Sequence, residues 1–193
     1  MQSKVKYADI LEDAVFVCQT DTLYGICTSA FNKENVEYIY SIKGRPDTKP
    51  FIILISDIAD LKHFGITLSP KQKKFLELVW PGKTSVVLPC SSKKFEYLHR
   101  GTESLAFRLP KKESIRDILE VTGPLVAPSV NMQGQKPAET ITEAKAVFGE
   151  QIDLYISGGK LNGAPSTLIT ITDNTVKCLR DGAVSFAEIE PLF

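Results

Sequence analysis

Between Lys43 and Phe51 the chain reads Lys-Gly-Arg-Pro-Asp-Thr-Lys-Pro-Phe, which puts three cations, Lys43, Arg45 and Lys49, within seven residues. Gly44 permits a turn, whereas Pro46 and Pro50 fix φ and exclude a regular helix. Cations on a stiffened loop, followed by the apolar run Phe51-Ile52-Ile53-Leu54-Ile55, suit an anion site anchored to a buried strand. Arginine offers phosphate a bidentate fork and lysine a compact point charge. The same residues also suit a solvated turn between a helix and a strand, and the segment alone does not separate the two readings.

Four further segments are polar or glycine-rich next to strand-like runs, where open α/β sheets place ligands. Gln19-Thr20-Asp21-Thr22-Leu23-Tyr24-Gly25 carries hydroxyls, a carboxylate and a glycine that allows close backbone approach. Ala106-Phe107-Arg108-Leu109-Pro110 ends an apolar strand on an arginine, either a snorkelling edge residue or a carboxylate ligand facing a cleft. Pro128-Ser129-Val130-Asn131-Met132-Gln133-Gly134 offers short donors and acceptors suited to phosphate or ribose oxygens. The last group is Ser157-Gly158-Gly159, Gly163 to Thr167 and Arg180-Asp181-Gly182. Walker A and Rossmann glycine patterns are missing, as are Ser-His-Asp and Cys-His arrangements.

Those segments need a scaffold, and 193 residues with 43% hydrophobic and 24% charged content suffice for one packed domain. Twenty-three basic residues balance 23 acidic ones, which argues against a dedicated nucleic-acid coat protein but not against a local basic cleft. The start of the chain lacks the apolar core of a signal peptide, and no run is long enough to span a bilayer. The four scattered cysteines form no CxxC pair and no metal-ligand spacing, and Cys18 and Cys27, in apolar segments, are expected to be buried thiols in a reducing cytoplasm.

Strands are expected at Ala14–Cys18, Phe51–Ile55, Thr84–Leu88, Ser104–Leu109, Leu125–Ala127, Leu154–Ile156, Thr167–Ile171 and Val176–Leu179. The turn Thr172 to Thr175 makes the last two an antiparallel hairpin. Helices are expected from Asn32 to Ile42, from Ser69-Pro70 to Trp80-Pro81-Gly82, from about Ser114 to Val121, and from a capping box at Thr140–Glu143 to Phe148. The pattern predicts an α/β fold over 1–193: a single domain whose twisted mixed β-sheet is flanked by helices.

Taken in order, these segments resemble the YrdC-like family, the threonylcarbamoyl-AMP synthases. The resemblance rests on Thr20 to Gly25, Lys43 to Pro46, Trp80 to Gly82, Phe107 to Pro110, Ser129 to Gly134, Pro165 to Thr167 and Arg180 to Gly182. Seven ordered motifs over nearly the whole chain are far more specific than any one. Gln19 stands where the family usually has Pro, Val130 where Ala is common, and Leu54 where some relatives have His. With its last residue at Phe193, the chain resembles the short single-domain type.

The resemblance implies synthesis of L-threonylcarbamoyl adenylate and pyrophosphate from L-threonine, bicarbonate and ATP with Mg²⁺. The product would feed the transferase machinery that modifies a tRNA adenosine. Thr22, Arg108 and Ser166 would hold threonine. Arg45, Lys49, Ser104, Ser129, Asn131 and Arg180 would contact ATP, with Lys43 and Arg45 supplying catalytic positive potential and no protein metal site. Two other readings stay open: a double-stranded RNA-binding module using the basic face, and a paralogue with a different nucleotide-dependent activity.

Overall fold

The computed structural model describes residue 11 and residues 13–45 and 48–193. Pro46 and Asp47 of the cation segment lie outside the described residues. Among the described residues, nine strands form one sheet: β1 (Phe16–Gln19), β2 (Tyr24–Ser29), β3 (Ile52–Leu54), β4 (Thr84–Pro89), β5 (Ser104–Arg108), β6 (Leu125–Val126), β7 (Leu154–Tyr155), β8 (Thr167–Ile171) and β9 (Val176–Arg180). Their order is β7-β1-β2-β6-β3-β5-β4-β8-β9. The pairs β1/β7, β3/β5 and β4/β8 are parallel and the others antiparallel, including the expected β8/β9 hairpin. The mixed α/β sheet is therefore as expected.

The helices are α1 (Lys33–Lys43), α2 (Pro70–Val79), α3 (Glu96–His99), α4 (Glu113–Thr122), α5 (Ile141–Phe148) and α6 (Phe186–Ile189). Capping sets several boundaries: Asn32 accepts from the Asn35 amide at the start of α1, and Ser69 and Gln72 close a reciprocal capping box on α2. Gly44, left-handed at φ 58°, ends α1. At α5 only half of the expected box forms. Thr140 accepts from Glu143, whose carboxylate reaches back to the Glu139 amide instead.

Alternation along β5 divides the sheet into two faces. Leu105 and Phe107 enter the main core, packed by residues of α1, α2, α3, α5 and α6 such as Ile39, Phe75, Leu98, Phe148 and Ile189. Ala106 and Arg108 point to the opposite face, where Ile115 and Leu119 of α4 cover a smaller cluster containing Leu54, Cys18 and Cys27. The rest of that face is left concave. Among the described residues, no helix is long and apolar enough to cross a membrane.

Two departures from expectation matter for the site. β2 was not expected, because Tyr24-Gly25-Ile26-Cys27-Thr28-Ser29 is built largely of small and polar residues although its first five are buried. Lys43 is not a loop cation. It is the last residue of α1 and only 2% exposed.

Phe107 fills the main core from a central strand and is fully buried. Phe107→Ala is expected to cost about 3–5 kcal/mol in urea unfolding, the range for an aromatic removed from a core. A loss below about 1 kcal/mol would contradict this placement.

Candidate active site

The Thr20–Leu23 turn between β1 and β2 is organised by one hydroxyl. Thr20 Oγ1 donates to the Leu23 carbonyl (2.7 Å) and accepts from the Thr22 and Leu23 amides (both 3.2 Å). Thr22 Oγ1, locked beside it at 3.1 Å, accepts from Arg108 Nη1 at 2.7 Å. Arg108 also pairs with Asp21 Oδ1 through Nη2 at 3.2 Å. Its buried Nε has no hydrogen-bond partner among the described residues. Arg108 is therefore an aimed, 4%-exposed guanidinium on a central strand, not a snorkelling edge residue.

Two more guanidiniums face the same cavity of about 170 Å³, which Thr22, Ser129 and Ser166 also line. Arg45 donates to the Lys49 and Pro50 carbonyls (3.0 and 3.3 Å) and lies 5.2 Å from the Phe51 ring centre. Arg180, at the end of β9, donates to the Ser166 carbonyl (2.8 Å). Ser166 Oγ is 2.8 Å from Ser85 Oγ. A second cavity of about 340 Å³ shares Leu23, Ser129, Pro165 and Arg180 with the first and adds Asn131.

Ser129 reaches the cavity because the chain beyond β6 keeps pairing with β2. Ile26 donates to the Pro128 carbonyl, Val130 to the Tyr24 carbonyl, and Ser129 bridges Gly25. Lys43 holds this loop from behind. Its Nζ donates to the Ser129 and Asn131 carbonyls (each 2.6 Å) and to Asn131 Oδ1 (3.4 Å). Burial, aided by the nearby Arg45 charge, pulls the Lys43 pKa down to about 7. Burial also lowers the pKa of Arg45, Arg108 and Arg180 from the ordinary arginine value.

The structure thus brings Thr22, Arg45, Arg108, Ser129, Ser166 and Arg180 to one cavity and Asn131 to the adjoining one. Lys43 and Lys49 do not line either. Ser104 shares a strand face with Arg108 but lies four residues away, roughly 13 Å along β5. Its hydroxyl donates to Thr102. Sequence reasoning did not single out Asp21 as a partner of Arg108, though its place between two threonines was a usable signal. Ser85, the partner of Ser166, carried no such signal. Chemically, the cavity suits a ligand with several anionic groups and a small hydroxyl-bearing part.

Comparison with known proteins agrees with that chemistry. Residues 9–182 match the profile of the Sua5/YciO/YrdC family, described as "Telomere recombination". A threonylcarbamoyl-AMP synthase of Bacillus subtilis is 32% identical over 183 residues, 93% of this chain and 53% of the relative. One from Pyrococcus abyssi is 29% identical over 94% of this chain and 54% of its own length. The chain thus spans about half the length of these two relatives. The crystal structure of P. abyssi Sua5 complexed with L-threonine superposes with a TM-score of 0.89 at 28% identity, covering 98% of this chain and 56% of that one.

With a pKa near 7, Lys43 is largely neutral at about pH 8 and charged at about pH 6. A polyanion beside Ser129 favours the ammonium, so its binding raises the Lys43 pKa and draws in a proton at the higher pH only. Calorimetry of inorganic pyrophosphate binding in buffers of different ionisation enthalpy is expected to show this uptake near pH 8. Lys43→Met is expected to abolish the share due to Lys43. Equal uptake by parent and variant would contradict the assignment.

Proposed function

The chain belongs to the Sua5/YciO/YrdC family, and from that premise we propose that it converts L-threonine, bicarbonate and ATP to L-threonylcarbamoyl adenylate and pyrophosphate. The observation that carries this reading is the convergence of Arg45, Arg108 and Arg180 on one cavity lined by the Thr22, Ser129 and Ser166 hydroxyls. Threonine N-carboxylated by bicarbonate, with loss of water, bears two carboxylate-type groups, and ATP bears a triphosphate. Bringing them together needs fixed positive charge.

Arg108, which lines the cavity, takes the amino-acid carboxylate. Thr22 and Ser166 read the substrate hydroxyl. Arg45 and Arg180 face the phosphates, Ser129 and Asn131 supply short polar contacts, and Lys49 adds charge at the loop. Ser104 contacts the far end of the nucleotide. Lys43 acts through the Ser129–Asn131 loop rather than by touching substrate.

The carbamate oxygen then attacks the α-phosphorus in line. A new P–O bond forms as the bond to pyrophosphate breaks, with no covalent enzyme intermediate. The polar side chains lining the cavity are guanidiniums and hydroxyls, so magnesium would arrive carried on the phosphates of ATP. So carried, it would neutralise the departing pyrophosphate. The adenylate would supply a downstream transferase acting on tRNA.

The test is amino-acid-dependent pyrophosphate release with ATP, bicarbonate and magnesium. Turnover is expected to fall from threonine to serine to valine. A lost methyl costs about 1–3 kcal/mol, whereas a lost hydroxyl strands buried polar groups. Equal use of valine would refute the hydroxyl-reading cavity. No release with any amino acid, together with tight, salt-sensitive binding of duplex RNA, would favour an RNA-binding role instead.

Arg45→Ala is expected to weaken ATP binding by about 1.5–3 kcal/mol, the value of a hydrogen bond to a charged group. Threonine affinity should change less. Calorimetry showing parental ATP affinity would remove Arg45 from the nucleotide site.

A further inference from the structure

Beyond Ile156, whose amide still donates to the Val17 carbonyl of β1 (2.8 Å), residues 157–166 run to β8 outside any helix or strand, so their position depends on side-chain and loop contacts. They end at Pro165 and Ser166 in the cavity lining. The first contacts are made by Gln19, a buried residue at the end of β1. Its Nε2 donates to the Gly159 carbonyl at 2.9 Å, and its Oε1 accepts from Lys112 just before α4. Tyr24 adds a second donor to the same carbonyl (2.6 Å) and accepts from the Gly158 amide (3.2 Å).

The approach is close at two points: a Cβ on Gly163 would run into the Thr22 backbone carbonyl, which demands glycine, and one on Gly158 would displace the Gln19 side-chain amide. The segment is thus fastened to Gln19 and Tyr24 at its start, held at Glu139 by the Leu161 amide (2.8 Å) and the Lys160 ammonium (3.2 Å), and pressed at Gly163 onto the turn that carries Thr22. Where Pro stands at position 19, as the family pattern has it, the Gln19 share of this tie is missing and Tyr24 alone donates to the Gly159 carbonyl.

We propose that Gln19 is a positioning residue that holds the 157–163 segment against the Thr20–Thr22 turn and so sets affinity for the amino-acid substrate. The proposal rests on the threonine reading above. A looser segment spends less time in the binding-competent position, and apparent Kd rises by the inverse of that fraction. Saturated turnover, which starts from the closed complex, is unaffected.

The test compares Gln19→Ala, Gln19→Glu and the parent by hydrogen exchange and steady-state kinetics. Gln19→Glu keeps an acceptor for Lys112 but cannot donate to Gly159, so it isolates the tie if the alanine variant folds poorly. Both variants are expected to exchange the amides of 157–163 faster, with the core strands unchanged. The KM for threonine is expected to rise about 2- to 12-fold, the factor one neutral hydrogen bond is worth, with kcat and the KM for ATP held. Parental exchange and parental KM in both variants would overturn the proposal, as would an equal fall of kcat with threonine saturating. If the parent shows no threonine-dependent turnover, the threonine reading fails and the exchange comparison alone decides the tie.

Discussion

Three guanidiniums share one small cavity, and two of them, Arg45 and Arg180, are held there by neutral backbone carbonyls that leave their charge uncancelled. Arg45 donates to the Lys49 and Pro50 carbonyls, Arg180 to the Ser166 carbonyl, and Lys43 to the Ser129 and Asn131 carbonyls. A carbonyl is a neutral acceptor, so Arg45 and Arg180 are held in place with their fields intact, and Lys43 likewise when protonated. Of the three, and among the described residues, only Arg108 has a carboxylate partner, Asp21. The burial that lowers the pKa of all three arginines records the repulsive and desolvation cost of this arrangement. An anionic ligand offsets that cost, which is why such a cavity binds one.

The sheet order explains how distant segments meet. β5 lies between β3 and β4, and β4 in turn pairs with β8. Arg108 at the end of β5, the Arg45 loop before β3, Ser166 before β8 and Arg180 at the end of β9 therefore open on the same concave face. β2 completes the site by pairing with the chain beyond β6, which brings Ser129 beside Gly25. A hydroxyl network rather than a catalytic acid or base then fixes Thr22 and Ser166, in keeping with chemistry that relies on placement and charge.

Much of this was legible in the sequence because the informative residues have strong local rules. Asn32, Ser69 and Gly44 mark helix ends by capping chemistry, and the apolar runs around Ile53 and Phe107 mark buried strands. The ordered polar motifs pointed to Thr22, Arg45, Arg108, Ser129, Ser166 and Arg180, which share the cavity. What was not legible depends on long-range packing. β2 is hidden by Gly25, Cys27 and Thr28, which become strand residues only because sheet neighbours bury them. Lys43 reads as a loop cation by adjacency to Arg45, yet the helix end turns it inward onto backbone carbonyls. The Ser85–Ser166 contact spans 81 positions, and nothing near Ser85 announces it.

The central claim is that this cavity joins a carboxylated amino acid to an adenylate. The most direct measurement is mass spectrometry of the protein incubated with ATP, magnesium, L-threonine and ¹³C-labelled bicarbonate. The account predicts an adenylate containing threonine and the labelled carbon, formed together with pyrophosphate and absent when threonine is omitted. Pyrophosphate released with no labelled carbon in the adenylate, or no threonine-containing adenylate at all, would contradict it.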